Sequence, residues 1–268
     1  MPDGFSGSGR SIAARLGHRT MAAIYDTIGK AYTQHRRADP RVAAQILDAL
    51  GESASICNVG AGSGNYEPAD RTVVAVEPSP VMIAARAPGA ARVVRAVAAA
   101  LPFASGSFEA SLASLTLHHW PDWSEGISEM KRVSRRQVIF TFEPAVHLDF
   151  WLIREYFPWI ARLESSRPPP AEALAEALGG AEIRTVPVPA DCVDGFMWAY
   201  WNRPERYLDP EVQACTSGMS LISPSDRSAG TAALAGDLRS GRWLERHGDL
   251  LASDEIDGGF RLVIATQR

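Results

Sequence analysis

Between about residue 39 and residue 145, short apolar runs of strand length alternate with amphipathic segments of helix length. "DPRVAAQILDALG" predicts a helix that Asp39 can cap, with Pro40 in its first turn and Gly51 as its stop. "ASICNVG" predicts a short apolar strand, and "RTVVAVEPS" a second one ending in Glu77. "VMIAARA" is helical up to Pro88 and Gly89. "ARVVRAVAA" predicts a third strand and "FEASLASLTL" a fourth. "WSEGISEMKRVS" has the spacing of an amphipathic helix, and "RQVIFTFEP" predicts a fifth strand ending at Glu143. Strands and helices alternating at this pitch predict an α/β fold, a parallel sheet covered on both faces.

Past Pro144 the rhythm changes. "HLDFWLIREYFPWIARL" predicts one strongly aromatic amphipathic helix, "SRPPP" a linker, and "AEALAEALGG" a helix closed by glycines. "EIRTVPVP" predicts a strand, residues 192–250 a long and mostly helical excursion, and "GFRLVIATQR" the final strand. At the other end, residues 1–20 read as a loose tail rich in Gly, Ser and Arg. Met21, Ile24, Ile28 and Tyr32 then follow near helical spacing. The expected organisation is a single domain over 21–268, with a core at 40–145 and a cap formed mainly by 146–170 and 192–250.

Composition narrows the function. A chain of 268 residues with 46% apolar and 22% charged residues can bury a large core. A net charge of −4 carries no basic footprint for nucleic acid. No apolar run is long enough to span a membrane, and the N-terminus lacks the apolar core of a signal peptide. Cys57, Cys192 and Cys215 have neither disulfide-framework nor metal spacing, which fits a reducing cytoplasm.

The candidate chemistry begins in "ICNVGAGSGNYEP". Asn65 and Tyr66 follow Gly64 where a Walker loop needs Lys and Ser or Thr. Gly60, Gly62 and Gly64 give G-x-G-x-G, with the third glycine one residue too early for a dinucleotide fingerprint. Glu77 stands 17 positions after Gly60 at a strand end, where a carboxylate can accept both hydroxyls of a ribose. A glycine loop and a ribose-binding acid, without a phosphate code, predict a nucleoside-containing cofactor that lacks phosphate.

In these segments the chain resembles the class I S-adenosylmethionine-dependent methyltransferases of the small-molecule type. "NVGAGSGNY" resembles their first motif, "VVAVEPSPVMI" the second strand with its ribose-binding acid, and "ALPFASGSFEASLASLTLHHWPD" the third and fourth strands with their connection. The resemblance implies a Rossmann-like, doubly wound, seven-stranded and mostly parallel sheet, with a helical cap inserted after strands 5 and 6. It implies S-adenosylmethionine as cofactor, S-adenosylhomocysteine as product, and a small-molecule acceptor. Gly60, Ala61 and Gly62 would line the methionine moiety, with Gly64 allowing close helix packing. Glu77, followed by Pro78, would hold the ribose, and Met82 would pack on the adenine side. Ala98 and Ala99 match the backbone adenine contact, and Leu115 and Thr116 the floor under the sulfonium. Tyr32 and Arg37 resemble lid residues that cover the cofactor and its carboxylate, with Arg36 as the alternative to Arg37. The chain departs from the pattern at Asn58 and Val97, where the family often has acids.

The ends of the fourth and fifth strands carry His118, His119 and Glu143. Transfer to oxygen needs a base for the hydroxyl proton, and histidine has a suitable ordinary pKa. His119 is the expected inward residue, with His118 behind it and Glu143 as a carboxylate that could orient the ring. Trp151, Tyr156, Asp194, Trp198 and Trp201 are the candidates for substrate contact, since a small-molecule pocket joins apolar walls to a few polar anchors. No metal, nucleic acid or membrane is expected, and the protein is expected to be a monomer or homodimer. The alternatives are C- or N-methylation by proximity, a degenerate fold that binds without turnover, and a nicotinamide oxidoreductase. The last is disfavoured by the loop spacing and the lack of a Tyr-x-x-x-Lys pair.

Overall fold

Local signals decide where most elements start. Asp39 caps the helix Pro40–Leu50, accepting from the Arg41 backbone N–H at 3.0 Å, and Gly51 ends it at φ +60°. Ser79 caps the short helix Pro80–Ala84, and Asp122 caps Trp123–Val133 through the N–H groups of Ser124 and Glu125. The computed structural model describes residues 36–164 and 168–267. The expected tail, the helix near residues 21–32 and Tyr32 lie outside the described residues.

Nine strands are described. They are β1 (Ser55–Val59), β2 (Thr72–Val76), β3 (Arg92–Val94), β4 (Phe108–Ser114), β5 (Ser134–Phe142), β6 (Glu182–Thr185), β7 (Val188–Pro189), β8 (Glu255–Ile256) and β9 (Phe260–Thr266). Seven of them form one sheet in the order β3-β2-β1-β4-β5-β9-β6, and β7 pairs with β8 separately. β1 pairs in parallel with β2 and β4, β2 with β3, and β4 with β5, whereas β9 runs antiparallel to β5 and β6. The fold is the expected doubly wound, mostly parallel seven-stranded sheet.

Successive residues of the central strands enter opposite cores. Ile56, Leu112, Val138 and Leu262 face one, while Cys57, Ala113, Ile139 and Val263 face the other. The helices Trp123–Val133 and Ala171–Leu178 fill the second core. The first receives the helix Pro40–Leu50 and the aromatic residues between Phe150 and Trp243.

Two elements differ from the pattern's prediction. The aromatic segment is not one helix but three turns of structure: Pro144–Leu148, a π-helical turn Leu152–Tyr156, and Trp159–Glu164. Pro158 excludes a helical conformation at the residue before it, and Phe157 adopts φ −130°, ψ 53°. "EIRTVPVP" likewise divides, with β6 in the main sheet and β7 in the ribbon. Between β7 and β8 the chain turns repeatedly to Arg203 and then builds short helices around the long helix Pro224–Ser240. Gly230 lets that helix press on the π-helical turn, since a Cβ there would stand 2.4 Å from the Tyr156 carbonyl oxygen.

Candidate active site

Chain order runs outward from β1 through β2 to β3, then returns to β4 on the other side of β1. The crevice where the order reverses, beyond the carboxyl ends of the strands, is the place an open α/β sheet offers to a ligand. A cavity of about 700 Å³ lies there.

The glycine loop forms its floor. Gly60 has φ +71°, and a Cβ on it would stand 2.1 Å from Thr116 Oγ1, so the loop after β1 touches the chain after β4 only because position 60 has no side chain. Gly64 has φ +97°, and what approaches it is the Glu67–Arg86 ion pair rather than a helix backbone. Glu77 is 7% exposed. Its two oxygens accept from the backbone N–H groups of Gly62 and Ser79, each at 2.9 Å. Burial raises its pKa, against the lowering effect of those two hydrogen bonds and of Arg86. Both oxygens keep lone pairs for further donors, as the two hydroxyls of a ribose require.

Gly60, Ala61, Gly62, Glu77, Pro78, Met82, Ala98, Ala99, Leu115, Thr116 and His119 all line this cavity. Gly64 and Arg37 do not; Arg37 is exposed, and Arg36 stands on the wall in its place. The wall also includes residues that the motifs did not single out, among them Tyr66, Arg95, Trp120, Asp122 and Glu125. A signal for Trp120 existed in Gly126, a glycine inside a helical pattern. A Cβ on Gly126 would stand 2.4 Å from the Trp120 ring.

Asp194 is fully buried beside the cavity, not on its wall. It accepts from Arg36 Nε at 2.6 Å and Nη2 at 3.3 Å, and from the Tyr66 hydroxyl at 2.7 Å. Burial first, and Asp194 next, push the Tyr66 hydroxyl well above the usual tyrosine range. Asp194 thus holds two wall residues in place, one before the first described helix and one at the end of the glycine loop.

His118 and His119 occupy the 3₁₀ turn after β4 with ring centroids 3.8 Å apart. His119 faces the cavity, whereas His118 packs toward Phe142 at 5.5 Å. Glu143 is engaged elsewhere: its Oε1 accepts from the Ala171 backbone N–H at 3.0 Å and caps the helix Ala171–Leu178, whose preceding Pro170 offers no side-chain cap. The four aromatic candidates are buried in the first core. Trp151 donates to the Trp201 carbonyl, Trp201 to those of Val188 and Pro189, and Tyr156 to Asp237. Trp198 stacks on Phe150 at 4.0 Å. None of them lines the cavity, because burying their large apolar area against one another is what assembles this layer.

Among the described residues no three His, Cys, Asp or Glu side chains come together in a metal-binding group, and no helix is long and apolar enough to cross a membrane.

Known proteins place this cavity in context. A family model described as "Methyltransferase domain" matches residues 57–142. The chain is 30% identical to a methyltransferase from an antibiotic biosynthesis pathway of Anabaena variabilis ATCC 29413, over 87% of this chain and 99% of that one, with a TM-score of 0.80. It shares its fold with the [4+2]-cyclase SpnF at 14% identity, over 93% of this chain and 96% of that one, with a TM-score of 0.53. No curated protein matches the chain.

Proposed function

Because the chain belongs to the S-adenosylmethionine-dependent methyltransferase family, we propose that it methylates a hydroxyl oxygen of a small-molecule acceptor, with His119 taking the hydroxyl proton. S-adenosylmethionine, when bound, supplies a methyl group on a positively charged sulfur. The residues present fit that cofactor. Glu77 offers a carboxylate whose oxygens are already oriented by two backbone donors. Gly60 to Gly62 would lie under the methionine end, Met82, Pro78, Ala98 and Ala99 around the adenine, and Leu115 and Thr116 below the reacting sulfur. Arg36, braced by Asp194, would cover the cofactor's carboxylate.

The observation that carries the oxygen reading is the position of His119 on the wall that also holds Glu77 and the glycine loop. Histidine is the side chain whose ordinary chemistry suits it to take a hydroxyl proton. The pathway assigned to the Anabaena relative supports a small-molecule acceptor. His119→Ala should lower kcat by about 100-fold, within the range for loss of a general base, and leave the affinity for S-adenosylhomocysteine unchanged. Steady-state kinetics with calorimetric titration checks both. An unchanged kcat would leave transfer to proximity alone, as expected for C- or N-methylation.

A further inference from the structure

Asp194 belongs to a stretch of chain that lines no part of the cavity, yet it is bonded to two residues that do. None of residues 191–203 stands on the wall. Arg36 and Tyr66 do, and both donate to the buried Asp194 carboxylate. Arg36 precedes the helix Pro40–Leu50, and Tyr66 follows the glycine loop. Two further bonds run beside this junction. The Val193 N–H donates to Asp39 Oδ2 at 3.2 Å, and Arg41 Nη1 donates to Asp191 Oδ1 at 2.6 Å. Residues 36–41 and 191–194 are therefore fastened at three points.

The stretch that follows Asp194 is braced from within. Arg203 Nη2 donates to the carbonyls of Cys192 and Ala199, at 2.9 and 2.6 Å. The Tyr207 hydroxyl donates to the Met197 carbonyl at 2.6 Å and accepts from the Tyr200 N–H at 3.2 Å. Phe196 and Trp201 are buried in the first core. Charge makes the link to the wall stiff. The Arg36 and Asp194 side chains are 10% and 0% exposed. A buried ion pair that loses one partner leaves a charge without compensation, so Asp194 must follow Arg36. Tyr66 donates to the same Asp194 oxygen that receives Arg36 Nη2. A ligand that fixes Arg36 and Tyr66 therefore fixes Asp194 with them.

We propose that Asp194 is a positioning residue that couples the cavity to residues 191–203, so that a bound cofactor steadies a stretch of chain it does not touch. Such coupling is reciprocal. The same stretch, acting through Asp194, sets how firmly Arg36 and Tyr66 hold what lies in the cavity. The proposal rests on the cofactor reading above. D194N keeps the size of the side chain but removes the charge, which leaves Arg36 without its counter-ion. Y66F keeps the ion pair and removes only the second donor.

Amide hydrogen exchange of the full chain, with and without S-adenosylhomocysteine, tests this beside calorimetric titration. The helix Ala171–Leu178, which also lies off the cavity, is the reference for general stabilisation by mass action. In the wild type the ligand should slow exchange at residues 191–203 by about fivefold or more beyond that reference. D194N should lose this slowing, keep it at the glycine loop, and bind S-adenosylhomocysteine about tenfold more weakly. Y66F should show a smaller slowing than the wild type, and it carries the test if D194N fails to fold. Exchange at 191–203 that stays at the reference level in the wild type, or slowing in the folded variants equal to that of the wild type, would overturn the proposal and leave the cofactor reading standing. A wild type that neither binds S-adenosylhomocysteine in the calorimeter nor changes its exchange anywhere would overturn both.

Discussion

At the scale of single residues, a buried carboxylate is costly unless its oxygens are hydrogen-bonded. Glu77 and Glu143 meet that requirement in different ways. Glu77 is held by the N–H groups of Gly62 and Ser79, inside the cavity. Glu143 is taken up by the Ala171 N–H, away from it. Glu143→Ala should therefore cost about 1 kcal/mol of unfolding free energy, as the loss of a helix cap does, and leave S-adenosylhomocysteine affinity unchanged. Urea denaturation and calorimetry measure the two effects. A Glu143 that oriented His119 would give the opposite pattern, with kcat lost and stability kept. Two further residues on the wall, Leu115 and Tyr66, have φ of +49° and +64°. Side chains other than glycine rarely adopt that region, and residues held there often sit at functional sites.

At the scale of elements, the helix Pro40–Leu50 shows a local signal that also carries charge. Burial would raise the Asp39 carboxyl, but the Arg41 side chain and the backbone N–H groups of Val193 and Arg41 outweigh it and hold the pKa at about 2. The folded value lies below the unfolded value of about 3.9. The stabilisation is therefore complete above about pH 4 and is lost as the pH falls toward 2. Asp39→Asn, which can still cap, should cost about 2 kcal/mol at pH 7 and nearly nothing at pH 2, as read from unfolding at both pH values. The sequence carried this helix, the glycine loop and Glu77 openly, because a cap, a turn and a strand end are specified by neighbours in the chain. The break at Phe157 was also signalled, by Pro158, but the continuous apolar stripe across it reads as one helix. The sequence did not separate Arg36 from Arg37, or Glu143 as a cap from Glu143 as a partner of histidine. Those choices are made by Asp194 and Ala171, both far along the chain. Trp151, Trp198 and Trp201 read as pocket residues because aromatic area serves a core and a ligand wall equally well in sequence.

At the scale of the whole molecule, the sheet order puts the carboxyl ends of β1, β2 and β4 around one crevice, and the segment after β7 supplies Asp194 beneath it. The cavity thus depends on parts of the chain that are distant in sequence, and ligand binding there should raise the stability of the whole fold by mass action. The most direct measurement is calorimetric titration of S-adenosylhomocysteine against the wild type and Glu77→Ala, with NADH as control. Saturable binding at one site per chain, weakened by about 1–3 kcal/mol in Glu77→Ala through loss of charged hydrogen bonds, is the expected result. Binding of NADH in place of S-adenosylhomocysteine, or S-adenosylhomocysteine binding that ignores Glu77, would contradict the assignment of this cavity to the cofactor.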